Sequence, residues 1–174
     1  VDLSREIFHR TQTHPSHPPV VMTVWNDHAE KKHAGNTVFS SKAMYLSLSD
    51  HAGTHVDAPV HFDPRPGAQS VDEMPLEKFY TSGFCIDLSH VPLKTAATLA
   101  EVQDAVAKSA ISPAPEGEPN FQAHMACAER GITHMECLAN LHTLIGRGRF
   151  RFIGFPLKIR GGTASPIRAV AIFE

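Results

Sequence analysis

The chain has 174 residues, 42% of them apolar and 20% charged, with a formal net charge of −2. That balance suits one globular domain, residues 1–174, large enough to bury its own core. It carries no basic block for nucleic acid or an anionic membrane, and no apolar run nears the roughly 20 residues that span a bilayer. No signal-peptide pattern opens it. Cys85, Cys127 and Cys137 lack C-x-x-C spacing and read as reduced, packed thiols of a cytoplasmic protein.

In chain order, Glu6 to Pro19 is rich in His, Thr and Pro and predicts a loop. Pro19 to Trp25 is β-branched and predicts a strand, with Trp25 packed in the core. Asn26 to Asn36 reads as a loop, and Phe39 to Ser49 alternates towards its end, as a strand would. A short buried strand is expected over Gly83 to Ser89. The clearest helix runs from Thr98 to Lys108, where Thr98 and Glu101 fit a capping box and Leu99, Val102 and Val106 form an apolar stripe.

Ser112 to Pro119 is a proline–glycine loop, and Asn120 is placed to cap a helix from Phe121 to Arg130 that Gly131 ends. Ile132 to Glu136 reads as extended, and Leu138 to Ile145 as a helical turn or two. Phe150 to Phe155 and Arg168 to Phe173 predict strands, with a turn-rich segment at Arg160 to Pro166 between them.

Chemistry concentrates in one stretch, Asp50 to Phe62, which holds His51, His55, His61, Asp50 and Asp57 around Gly53 and Pro59. Imidazole nitrogen and carboxylate oxygen are the donors that zinc and similar ions take. On a straight strand His51, His55, Asp57 and His61 would share a face, but at about 3.3 Å per residue they would be too spread to meet one ion. On a helix His51 and His55 would face together while Asp57 diverged. The segment must therefore bend, and Gly53 and Pro59 are the residues that allow it. We expect a strand ending near Asp50, a tight turn, and a short helical or irregular piece to Phe62. His14, His17, His28, His33, His90 and His142 read as ordinary surface or hydrogen-bonded residues.

The pattern H-x-G-T-H-x-D-x-P-x-H-F resembles that of the cyclase family of metal-dependent hydrolases, which includes bacterial kynurenine formamidases and isatin hydrolases. The resemblance implies an α/β fold, a compact mixed β-sheet or barrel-like core with flanking helices (swivelling β/β/α). It implies that His51, His55 and Asp57 hold one divalent ion, zinc or manganese. His124 and Glu136 match a His and Glu twelve residues apart in the family and would hold or border a second ion with Asp57. Read locally, His124 is also consistent with a helix-surface residue and Glu136 with a strand-edge charge. His134 has no counterpart in the family and reads as structural.

Compared with the family, an internal segment of about fifty residues after the Thr98 helix is absent, roughly a strand–helix unit. Ala164 stands where the family tends to have glycine. A homo-oligomer, dimer or tetramer, is implied.

The implied activity is hydrolysis of a small amide, imide or lactone. A bound ion would lower the pKa of water towards about 7 and polarise the carbonyl. His61 would relay the proton to the leaving group, and Thr54 would hydrogen-bond a ligand. The rival reading is a non-catalytic metal-binding or scaffold member that lacks a complete pocket. A serine or cysteine nucleophile has little support, since no G-x-S-x-G occurs.

Overall fold

The computed structural model describes residues 1–92, 95–109, 127 and 131–173. The first half supplies strands β1 (Val21–Asn26), β2 (Lys32–Ala34), β3 (Thr37–Phe39), β4 (Ala43–Ser47), β5 (His55–Asp57) and β6 (Tyr80–Gly83). Helix α1 (Leu99–Lys108) follows, then β7 (His134–Glu136), β8 (Phe150–Ile153), β9 (Ala164–Pro166) and β10 (Val170–Ile172). Short 3₁₀ turns at Pro59–His61, Val71–Glu73, Leu76–Phe79 and Leu141–Leu144 fill the gaps.

Every pairing among the described strands is antiparallel. The strands form two three-stranded sheets, ordered β10-β8-β6 and β7-β5-β9, and two two-stranded ribbons, β1-β4 and β2-β3. The fold is thus mixed α/β, and among the described residues no sheet closes into a barrel. The core lies between the two larger sheets, where Val56 of β5 meets Leu3, Phe79, Phe150, Phe152 and Ala171. Residues alternate faces along a strand, so burying Val56 turns His55 and Asp57 together to the other side. The chain's first residues are woven in as well, since the Leu3 amide donates to Ala169 and the Leu3 carbonyl accepts from Ala139.

Helix α1 begins with the expected reciprocal cap between Thr98 and Glu101. Its inward contact is narrower than the expected stripe, with Ala105 buried and Leu99 largely exposed. Four other expectations are corrected. Trp25 is exposed rather than packed in the core. The segment read as a loop at Asn26 to Asn36 contains β2, which forms a hairpin with β3 around Gly35 in the left-handed region. The strand expected at Gly83 to Ser89 lies earlier, at Tyr80–Gly83.

The turn-rich segment before Pro166 contains β9, a buried strand whose Ala164 pairs with Asp57. Its brevity and its Ser-Pro ending hid it from a pattern that looks for β-branched runs. The expected loop at Ser112 to Pro119 and the helix at Phe121 to Arg130, except Cys127, lie outside the described residues. All three cysteines are free thiols; Cys85 and Cys127 are half-buried, and Cys137 is exposed rather than packed. Burial pushes the Cys85 thiol up, and Asp87 adds to the effect.

Candidate metal centre

The site is built on β5, the middle strand of its sheet. The chain leaves β4, turns through Ser49 to Thr54, and enters β5 at His55. Gly53 makes the turn with φ +64°, and a Cβ there would meet Ile7 Cγ1 at 2.8 Å. A side chain is therefore excluded on both conformational and steric grounds. The bend required by the motif is real, but the piece after it is a strand, followed by a 3₁₀ turn at Pro59–His61. The helical or irregular reading holds only for that last turn. A three-residue strand cannot show its period, so only its partners reveal it.

Those partners complete the cluster. In the β5–β7 register His55 stands opposite Glu136 and Asp57 opposite His134. Directly opposed residues share a face, so four donors gather on one side of the sheet. His51 arrives from the turn, its Nδ1 lying 3.0 Å from Asp57 Oδ1. His55 Nε2 lies 3.4 Å from the same oxygen and 3.7 Å from Glu136 Oε2. His134 spans the other side, with Nδ1 3.5 Å from Asp57 Oδ2 and Nε2 3.2 Å from Glu136 Oε1. His61 stacks at 4.0 Å from His51, centroid to centroid.

Hydrogen bonds fix which ring nitrogens face inward. The Gly53 carbonyl lies 2.9 Å from His55 Nδ1. A carbonyl only accepts, so Nδ1 carries the proton and the Nε2 lone pair faces Asp57 and Glu136. The Thr163 hydroxyl donates to Asp50 Oδ2 at 2.8 Å. It must then accept from His51 Nε2 at 3.0 Å, which leaves the His51 Nδ1 lone pair facing Asp57. In their neutral forms both rings thus turn a bare nitrogen towards the same Asp57 oxygen.

That convergence suits a cation. Two ligands on a tetrahedral ion with bonds of about 2.0–2.2 Å lie about 3.3–3.6 Å apart, and the separations of 3.0 and 3.4 Å at Asp57 Oδ1 and 3.7 Å between His55 and Glu136 bracket this range. The donors fall into two sets, His51–Asp57–His61 and His55–Asp57–Glu136, each with its ligand atoms within 4.8 Å of one another. Asp57 belongs to both. The residues present therefore fit a divalent ion.

The electrostatics agree. Burial raises the Asp57 pKa, but hydrogen bonds and charge from His51 and His55 outweigh it and hold the carboxyl well below the usual range. For His55, burial lowers the pKa, but Asp57, the Gly53 carbonyl and the Glu136 charge favour the ring protonated at both nitrogens and raise it overall. A cleft with room for about one water molecule adjoins the cluster, lined by Asp57, Pro59, Phe62, Ile132 and His134.

His51, His55, Asp57, His61 and Glu136 are therefore brought together, while His124 lies outside the described residues. Thr54 does something other than expected. Its hydroxyl donates to the Cys137 carbonyl and accepts from the Arg5 amide, and Thr163 is the hydroxyl that bonds His51. Two residues were missed. His134 joins both carboxylates, and the period-two spacing of His134 and Glu136 on a strand was the available signal. His17 bonds Ser49 Oγ through Nδ1 at 3.0 Å and meets the His51 ring edge-on, with centroids 4.7 Å apart. Nothing local in its Pro-rich loop announced that.

The strand-borne His/Asp/Glu cluster on this antiparallel α/β frame could hold a metal ion, and the chain's relatives fall in one family. The family model Cyclase matches residues 1–119, and the chain belongs to the cyclase family. It is 28% identical to a kynurenine formamidase of Salinibacter ruber over 212 residues, covering 98% of this chain and 95% of that protein. A kynurenine formamidase of Paracidovorax citrulli is 25% identical over 201 residues, covering 79% of this chain and 91% of its own.

Among solved structures, isatin hydrolase A from Labrenzia aggregata superposes with a TM-score of 0.76 at 22% identity, covering 100% and 93% of the two chains. The Salinibacter alignment spans 212 positions against a chain of 174 residues. That relative therefore carries positions that this chain lacks.

Proposed function

We propose that residues 1–174 form one metal-dependent hydrolase domain that cleaves the carbon–nitrogen bond of a small linear or cyclic amide, with imides and lactones as chemical neighbours. The observation that carries this reading is the approach of His51 Nδ1 and His55 Nε2 to the same oxygen, Asp57 Oδ1, beside Glu136. In this reading His51, His55 and Asp57 hold a zinc or manganese ion. Asp57 and Glu136, with His124, hold or border a second. The names of the relatives, kynurenine formamidase and isatin hydrolase, support the substrate class.

When bound, the ion supplies an acidified water and a polarised carbonyl. The chain's own residues do the rest. Asp57 and Glu136 bring the negative charge that keeps a cation in place, and Thr163 and Gly53 hold the two imidazoles in the right tautomer. His61, stacked on His51, takes the proton from water and returns it to the leaving nitrogen. The three free thiols support a reducing, cytoplasmic setting.

Elemental analysis of the purified protein, followed by turnover assays on N-formylkynurenine and isatin-like amides, tests the proposal. Metal-loaded protein that turns over none of the amides or lactones would favour the scaffold reading, which the positions missing from the Salinibacter alignment motivate.

A further inference from the structure

Asp50 is the carboxylate of the motif that belongs to neither donor set, yet one of its oxygens gathers three hydrogen bonds. Asp50 Oδ2 accepts from the Thr163 hydroxyl at 2.8 Å, the Thr163 amide at 3.0 Å and the Ala164 amide at 3.1 Å. These donors sit at the head of β9, the strand whose Ala164 pairs with Asp57. Asp50 thus ties the turn that carries His51 to the strand that flanks Asp57. Its own distance from His51 Nε2, 3.9 Å, is too long for a direct hydrogen bond.

The Thr163 hydroxyl joins the two. With its proton directed to Asp50, that oxygen is left to accept from His51 Nε2 at 3.0 Å. A hydroxyl without a fixed acceptor rotates and donates as readily as it accepts, so Thr163 alone does not dictate the direction of the bond. Asp50 does. The backbone of His51 is held separately, its amide donating to Ser49 Oγ, and His17, bonded to the same oxygen, meets the ring edge-on. The freedom left to His51 is rotation of its ring. A half-turn would carry Nδ1 away from Asp57 Oδ1, which it meets at 3.0 Å.

We propose that Asp50 is a positioning residue for the cluster: acting through the Thr163 hydroxyl, it holds His51 with Nδ1 aimed at the ion site. Partners of this kind orient a ligating imidazole and raise its basicity. The inference rests on the reading of His51 as a metal ligand. An anion near a cation also favours binding directly, with no chain of bonds between them. The two effects part on one point. A direct charge effect survives removal of the Thr163 hydroxyl, whereas a relayed one does not.

The test is the affinity of the full chain for zinc and manganese, measured by competition with a chromogenic chelator, with circular dichroism as the check on folding. Asp50→Asn keeps an oxygen for the two amides and removes the charge. It should weaken binding by about 10-fold, the low end for such partners. In a Thr163→Val background the same substitution should change affinity by less than about two-fold. Thr163→Ser, which keeps the hydroxyl, should bind as wild type does. Asp50→Glu, the second variant should the first misfold, keeps the charge but displaces it by a methylene and should also bind more weakly. A folded Asp50 variant with wild-type affinity would overturn the inference. So would equal losses in the two backgrounds, or a Thr163→Ser protein as weak as Thr163→Val. Wild-type protein that binds neither ion would instead overturn the proposed function, and the inference with it.

Discussion

Asp57 is the carboxylate common to both donor sets, so Asp57→Asn removes a ligand from each at almost no change in volume. Ion binding at 100 times the dissociation constant stabilises a native chain by about 2.7 kcal/mol. For a chain of this size that corresponds to about 5–11 °C in melting temperature. Wild-type protein stripped with chelator and reloaded with zinc or manganese should show a rise of that order. Asp57→Asn should show almost none.

Glu136→Gln leaves the His51–Asp57–His61 set intact and should keep part of the rise. The metal-free variants will melt lower on their own account, because three imidazoles lose the carboxylate they face. The informative quantity is therefore the difference between loaded and stripped protein, followed by circular dichroism. An Asp57→Asn protein with the full wild-type rise, or a wild type indifferent to both ions, would refute the assignment.

Replacing His61 with Gln should lower kcat by about 10²–10⁴-fold while elemental analysis still finds metal; unchanged turnover would remove it from proton transfer. Thr163→Val deletes the hydroxyl between His51 and Asp50 and should weaken metal affinity by about 10–100-fold, measured by competition with a chromogenic chelator.

In metal-free protein the depressed Asp57 pKa stabilises the fold above its unfolded value of about 4, and that contribution is lost as pH falls through the lower folded value. The raised His55 pKa stabilises below about 6.5 and is lost as pH rises through the folded value. Urea midpoints in chelator should therefore be highest between about pH 4 and 6.5 and decline above. A flat profile from neutral to alkaline pH would contradict the His55 contribution.

The cluster was legible from sequence as far as it is local. His51, His55, Asp57 and His61 lie within eleven residues, and Gly53 marked the bend. Glu136 was found through family spacing, since a lone Glu on a short extended run has no local signature. The register that sets His55 against Glu136 and Asp57 against His134 is a tertiary fact, so His134 went unseen. Trp25 misled for a related reason. Large aromatics are usually buried, and the exposure of Trp25 on the β1–β4 ribbon shows only in the tertiary arrangement. Helix α1 was read well because its cap is written within four residues.

The central position of β5 has a consequence for how the molecule comes into being. Its two neighbours are recruited from far along the chain, His55 meeting Glu136 on one side and Pro166 on the other. Such distant closures are entropically costly early and make folding slow. A nascent chain can expose His51, His55 and Asp57 long before β7 and β9 exist to enclose them. Full affinity for the cation should thus emerge only in the last stages of folding, so that an avid grip on metal certifies a completed chain.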